Sequence, residues 1–251
     1  MFCYKLIIAY DGTDYHGWQK QFHDHITVTQ VLEDTFFKVF GKKISILGSS
    51  RTDAGVHAAG QVASFSTDID IDPQQMRLAW NGRLPVSILI RSITRTEVRF
   101  NPMNDVAQKT YYYHVLTQRP LPFFSRYGYY YRWNIDIEKL RTALQVFVGT
   151  HDFRSFCTLY DKDKDTVRTI DSIEVVYMPR YKLYRIIVKG YSFLHFMIRR
   201  IVGACLEVAS RDYLSCADLE HALAQKNPQQ SLPKAPAHGL MLYKIRYKGL
   251  Q

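Results

Sequence analysis

The chain has 251 residues, 47% hydrophobic and 22% charged, enough to bury a substantial core as one large domain or as two of about 125 residues. Lys plus Arg number 33 against 23 Asp plus Glu; the net +10 favours a polyanionic partner, and 14% aromatic residues add flat surfaces on which exposed bases can stack. Cys3, Cys157, Cys205 and Cys216 form no Cys-x-x-Cys pair or disulfide framework, no basic leader precedes an apolar run, and Arg199 and Arg200 interrupt the most apolar stretch, so export and membrane spanning are argued against and a cytoplasmic location is expected.

Tyr4 to Tyr10 reads as a strand, followed by apolar residues at helical spacing from Val28 to Phe40 with Gly41 as the stop. Ile44 to Leu47 and Gln61 to Phe65 read as strands, Asp72-Pro73 starts a helix leading to Trp80 and Leu84, and Val86 to Ile93 returns to strand. The order β-α-β-β-α-β is that of a split βαβ unit with helices on one face of a mainly antiparallel sheet. The second half repeats the theme less regularly. Thr110 to Thr117 and Tyr127 to Arg132 read as strands, Asp136 caps a helix to Val148, and Val167 to Tyr177 and Leu183 to Lys189 are strands. Helices follow from Leu194 to Ala209 and after Ser215, and Gly239 to Tyr247 closes as a strand. Asn101 to Gln108 is the candidate boundary, which gives an α+β chain of two ferredoxin-like halves, residues 1–105 and 106–251, with their sheets joined across a cleft able to take a folded RNA.

The segment Ser50-Arg51-Thr52-Asp53-Ala54-Gly55-Val56-His57 carries the strongest chemical signal. Gly48 and Gly55 permit a sharp bend that projects Asp53, and Arg51 two residues earlier can hold that carboxylate ionised, as a nucleophile requires. The alternative is a solvated surface turn with a local ion pair. Tyr10 to Gln21, containing Asp11-Gly12 and Gly17-Trp18-Gln19, reads either as a nucleotide-gripping loop or as an ordinary turn leading into a partly buried tryptophan. On a strand, Tyr111 and Tyr113 share one face and Tyr112 takes the other, so one of them can stack on a base or all can be core. Two arginines inside the apolar helix need partners; Arg199 is expected to face a site and Arg200 to reach the surface. His151-Asp152 reads as a structural turn. Neither a His-Glu-x-x-His spacing nor a glycine-rich phosphate loop is present, which argues against a metal enzyme or a nucleotide hydrolase.

Taken in order, Tyr10-Asp11-Gly12 with Gly17-Trp18-Gln19, Arg51 to Ala58 continuing through Gln61 to Phe65, Lys109 to Tyr113, Phe147 to Phe156, Gly190 to Gly203 and Ala235-Pro236 with Gly239-Leu240 resemble the TruA family of tRNA pseudouridine synthases nearly end to end. The resemblance implies the pseudouridine synthase fold and isomerisation of uridine in the anticodon stem-loop of tRNA, at the 38–40 stretch, without cofactor or metal. Asp53 matches the family's catalytic aspartate, Arg51 and Arg199 match positions supporting it, and Tyr111 matches the tyrosine that stacks on the target base. The family also acts as a homodimer. Ser50 stands where the family commonly has glycine and Lys109 where it commonly has arginine; Asn101-Pro102-Met103 and Ala209 to Arg211 also depart from its usual pattern.

Overall fold

In a computed structural model the chain is described over residues 1–21, 25–96, 100–159 and 165–249. Its elements in chain order are β1 (Phe2–Tyr10), α1 (Val28–Phe40), β2 (Leu47–Gly48), β3 (His57–Thr67), α2 (Pro73–Asn81) and β4 (Ile88–Thr96). Then come β5 (Val106–Leu116), β6 (Tyr129–Tyr130), α3 (Ile137–Gln145), β7 (Gly149–Asp152), β8 (Val167–Met178), β9 (Leu183–Gly190), α4 (Met197–Ser210), α5 (Cys216–Gln225) and β10 (Leu240–Tyr247). Two compact units divide them: Met1–Ala107 with Met241–Gln251, and Gln108–Leu240. The first unit ends at Ala107, inside the Asn101 to Gln108 stretch, and the chain returns to it at Met241. Met241 to the C-terminus clusters with the first unit, because β10 runs parallel to the start of β3, Met241 beside His57 and Leu242 beside Ala58.

Within the first unit the strands lie in the order β4-β1-β3-β10, with β2 also on β3. Both neighbours of β1 are antiparallel to it, as in a split βαβ unit. Alternation along β1 puts Tyr4, Leu6 and Ile8 on a fully buried face. Phe36 of α1 meets the Trp80 ring of α2 edge-on at 4.8 Å and the Phe65 ring of β3 at 5.5 Å, and Trp80 Nε1 donates to Leu32 O at 3.2 Å. The core is thus aromatic, with the Trp80 indole N–H satisfied. The helix ends follow local chemistry. Thr27 caps α1, Gly41 closes it at φ 68, and Asp72 accepts from Gln74 N and Gln75 N with Pro73 in the first turn of α2.

The second unit has the order β5-β9-β8-β7, with β6 parallel to the end of β5. Here β7, β8 and β9 run as successive antiparallel neighbours and β9 sits beside β5. Tyr113, Ile186 and Val188 from the sheet and Leu140, Leu144, Ile201 and Cys205 from the helices are fully or nearly fully buried. Ser215 and Asp218 form a reciprocal cap at the start of α5.

Several expected boundaries move for identifiable reasons. The strand expected over Ile44 to Leu47 shrinks to Leu47–Gly48, because Glu33 of α1 takes the Ile46 N–H at 2.8 Å. The strand expected over Tyr127 to Arg132 is only Tyr129–Tyr130, since Pro122–Tyr127 winds as a 3-10 helix. Gly82 follows the last residue of α2, so the helix stops before Leu84, and β4 begins after a fully exposed Val86. The long apolar helix starts at Met197 rather than Leu194, because Phe196 adopts a left-handed conformation at φ 63. His151 and Asp152 belong to β7 rather than to a turn.

Candidate active site

Asp53 opens a turn closed by a hydrogen bond from Val56 N–H to Asp53 O at 3.1 Å. Gly55 sits at its third position with φ 77, a conformation that side-chain-bearing residues resist. Thr52 is buried while Arg51 and Asp53 on either side of it are exposed and half-buried respectively.

The frame is built from the loop after β1 and from β3. The Tyr10 hydroxyl lies 2.7 Å from Thr52 Oγ1, Trp18 N–H donates to Thr52 O at 3.1 Å, and Gly55 N–H donates to Tyr15 O at 3.2 Å. A Cβ on Gly12 would lie 2.0 Å from Val56 O, and one on Gly17, whose φ is 89, would lie 2.6 Å from Thr52 O. The two glycines therefore let the loop backbone press directly on the turn. Trp18 is buried and covers Gly48, where a Cβ would meet its Nε1 at 2.3 Å, and it stacks with Tyr10 at 6.0 Å. Trp18 is thus buried, and the loop after β1 clasps the Asp53 turn.

His57 and Gln61 complete the frame. Gly12 N–H donates to His57 Nδ1 at 3.1 Å, and Asp11 Oδ1 is also 3.1 Å from that nitrogen. One nitrogen cannot serve both as acceptor and as donor, so the Gly12 contact belongs to the neutral ring and the Asp11 contact to a ring protonated at Nδ1. Asp11 in turn accepts from Thr13 N and Thr13 Oγ1, at 3.0 and 2.6 Å. Gln61 is fully buried; its Nε2 donates to Ser50 O at 2.6 Å and its Oε1 accepts from Ser50 N–H at 3.2 Å. Sequence reasoning used these two residues only as strand and motif positions. The signal that marks them is a polar side chain at a buried strand position one and five residues after the turn.

Tyr111 and Arg199 lie in the second unit. Tyr111 and Tyr113 are both buried on one face of β5, as alternation requires. Tyr111 meets Phe193 edge-on at 5.3 Å, whereas the Tyr113 hydroxyl donates to Pro236 O at 2.9 Å and its ring packs where a Cβ on Gly239 would intrude at 2.5 Å. Arg199 is 8% exposed, and its Nε donates to Ala235 O at 2.9 Å while Ala235 N–H returns a bond to Arg199 O at 2.9 Å. Gly203, where a Cβ would lie 2.3 Å from Pro233 O, admits the same strap. The Ala235-Pro236 and Gly239 block is therefore the strap that covers α4, tied to Arg199 and Tyr113. Phe196, in its left-handed conformation, carries Arg199 5.0 Å and Lys234 3.7 Å from its ring centre. Arg200 is half-buried, donating to Thr158 Oγ1 at 3.4 Å rather than running out to solvent. Among the described residues no three His, Cys, Asp or Glu side chains gather as a metal ion would require, and no helix is long and apolar enough to cross a membrane.

A family profile described as tRNA pseudouridine synthase matches residues 6–101 and 143–248. The tRNA pseudouridine synthase A of Pseudothermotoga lettingae is 34% identical over 97% of this chain and 99% of its own length. The chain belongs to the TruA family. Membership makes it an isomerase acting on uridine in tRNA. Two further TruA relatives are tRNA pseudouridine synthase A 1 of Bacillus cereus, 37% identical over 97% of this chain and 98% of the relative, and tRNA pseudouridine synthase A of Chlamydia felis, 35% identical over 96% and 90%. A structure search returns a crystal structure of a Cbf5-Nop10-Gar1 complex at 12% identity and a TM-score of 0.33, covering 81% of this chain and 54% of that one.

Proposed function

We propose that the protein isomerises uridine to pseudouridine at the 38–40 stretch of the tRNA anticodon stem-loop, with Asp53 as the catalytic nucleophile. The observation that carries this reading is the turn itself: in a TruA family member, a half-buried aspartate is held on a glycine-bent loop by a buried polar frame. A frame of this kind supplies the preorganisation that nucleophilic catalysis draws on. Asp53 attacks the ribose anomeric carbon or the uracil ring, or promotes a glycal route. On each of these the bond from N1 to the anomeric carbon breaks, the freed uracil turns, C5 bonds to the same carbon, and the C5 proton is lost as N1 gains one. The product is an isomer of the substrate, so the balance calls for no oxidant or reductant.

The target base reaches Asp53 only after leaving the helical stack, at a cost of a few kcal/mol. Tyr111 stacks on the extruded base, and Arg51 and Arg199 support the charge of the Asp53 carboxylate once substrate is bound. Phosphate contacts from the basic surface offset the cost of extrusion. The family reading also makes the protein a cytoplasmic homodimer that works without metal or cofactor; a solution mass of twice the chain mass of 29.3 kDa is expected.

Incubating uridine-labelled tRNA with wild type and with Asp53→Ala tests the central claim. Pseudouridine should form at positions 38–40 with wild type and be undetectable with the variant, while circular dichroism and tRNA binding stay unchanged. Equal yields from the two proteins would remove Asp53 from the mechanism.

A further inference from the structure

Gln61 is the one fully buried amide side chain of β3, and both of its ends are used on the backbone of a single residue, Ser50. Its Nε2 also lies 3.5 Å from the Tyr10 hydroxyl, which in turn meets Thr52 Oγ1. Ser50 and Thr52 bracket Arg51, and Thr52 precedes Asp53. The path of the chain into the turn is therefore held on both sides of Arg51 by one connected set of side chains. A buried polar group of this sort costs stability unless every bond is made, and here the amide is matched donor to acceptor and acceptor to donor.

We infer that Gln61 is a positioning residue for the reaction: by gripping both backbone groups of Ser50 it fixes the line along which Asp53 is presented to the substrate. This rests on the reading of Asp53 as the nucleophile. A shift of the turn by about 1 Å is enough to cost roughly 10²-fold in rate. Gln61 acts at a distance from the substrate, so its loss should appear in the chemical step and not in tRNA affinity.

Three variants test this in single-turnover assays with saturating tRNA, beside direct tRNA-binding measurements. Gln61→Met keeps the length and removes both hydrogen-bonding ends; its rate should fall about 10²-fold with tRNA Kd unchanged. Ile90→Val, a truncation of a buried residue on β4, serves as the control for stability, with both proteins assayed well below their Tm. Gln61→Glu supplies a readout that packing alone would not move. Ionised, it cannot donate to Ser50 O; protonated, its O–H and C=O reproduce the amide's donor and acceptor, and burial favours the protonated form. The ionisable side chains on the surrounding elements are Tyr10 of β1, Arg51 and Asp53 of the turn and His57 of β3. Their own titration cancels when rates are expressed relative to wild type at each pH. That ratio should climb as pH falls for Gln61→Glu and stay flat for Gln61→Met. A Gln61→Met rate no lower than that of Ile90→Val, a loss confined to tRNA affinity, or a flat ratio for Gln61→Glu would each overturn the inference. Asp53→Ala is run in parallel. If it still makes pseudouridine, the nucleophile reading fails and the inference with it; if it is inactive while Gln61→Met runs at the wild-type rate, only the positioning role is rejected.

Discussion

Burial pushes the ammonium of Lys109, at the base of the tyrosine run in β5, down from its ordinary 10.5 to about 8. The folded pKa lies below the unfolded one, so between those values the unfolded chain binds more protons and stability rises with pH. From pH 8 to 10 the urea midpoint of wild type should therefore gain on that of Lys109→Met; a constant difference would show that Lys109 is solvated. Burial moves the tyrosine hydroxyls in the other direction: Tyr131 and Tyr247 are raised to about 12 and Tyr113 well above its usual value. Their contribution is lost only at more alkaline pH, and they are common to both proteins, so the difference isolates the lysine. At this scale the sequence marks its candidate reactive side chains more readily than what holds them. Asp53 between Gly48 and Gly55 stands out in the chain, whereas the partner of Arg199 lies 36 residues away on the strap at Ala235.

Elements whose ends are set by neighbours in sequence were legible, and those set by distant partners were not. The periodic run from Val28 to Phe40 between Thr27 and Gly41 is α1 to the residue. By contrast Ile44 to Leu47 alternates like a strand, but a glutamate 13 residues earlier takes its Ile46 N–H. The same division explains the site. The turn follows from its glycines, yet the frame depends on β1 and β3 pairing with Ile8 beside Gln61 and Tyr10 beside Ala58, a register with a bulge between them. The loop after β1 offers a direct contrast between two glycines. Gly12→Ala drives a Cβ into the Val56 carbonyl, and because backbone cannot swing aside the turn must move; a loss of about 10²-fold in pseudouridine formation is expected. Gly41→Ala meets nothing within 4 Å and suffers only its left-handed φ of 68, so it should lower stability by about 1 kcal/mol and leave the rate unchanged. Thermal melts beside rate measurements separate the two; equal effects of both substitutions on the rate would deny the close approach at Gly12 any part in catalysis.

The whole molecule carries a net +10, which on a tRNA substrate translates into counterion release. The logarithm of tRNA affinity should fall linearly with the logarithm of salt concentration, by about 0.7 to 0.9 per phosphate neutralised, while the single-turnover rate at saturating tRNA changes little. An affinity indifferent to salt would argue that the positive charge serves something other than the substrate. Two units share this chain, and the second, Gln108–Leu240, interrupts the first. β10 lies beside His57 and Ala58, immediately after the turn that carries Asp53. On the ribosome, then, β10 emerges more than 180 residues behind the strand it flanks, by the register of Met241 with His57. Domain-by-domain folding from the N-terminus is closed to this protein. The nascent first unit must wait with one edge of β3 unpaired near the Asp53 turn, and slow translation of the second unit lengthens its exposure to wrong strand partners.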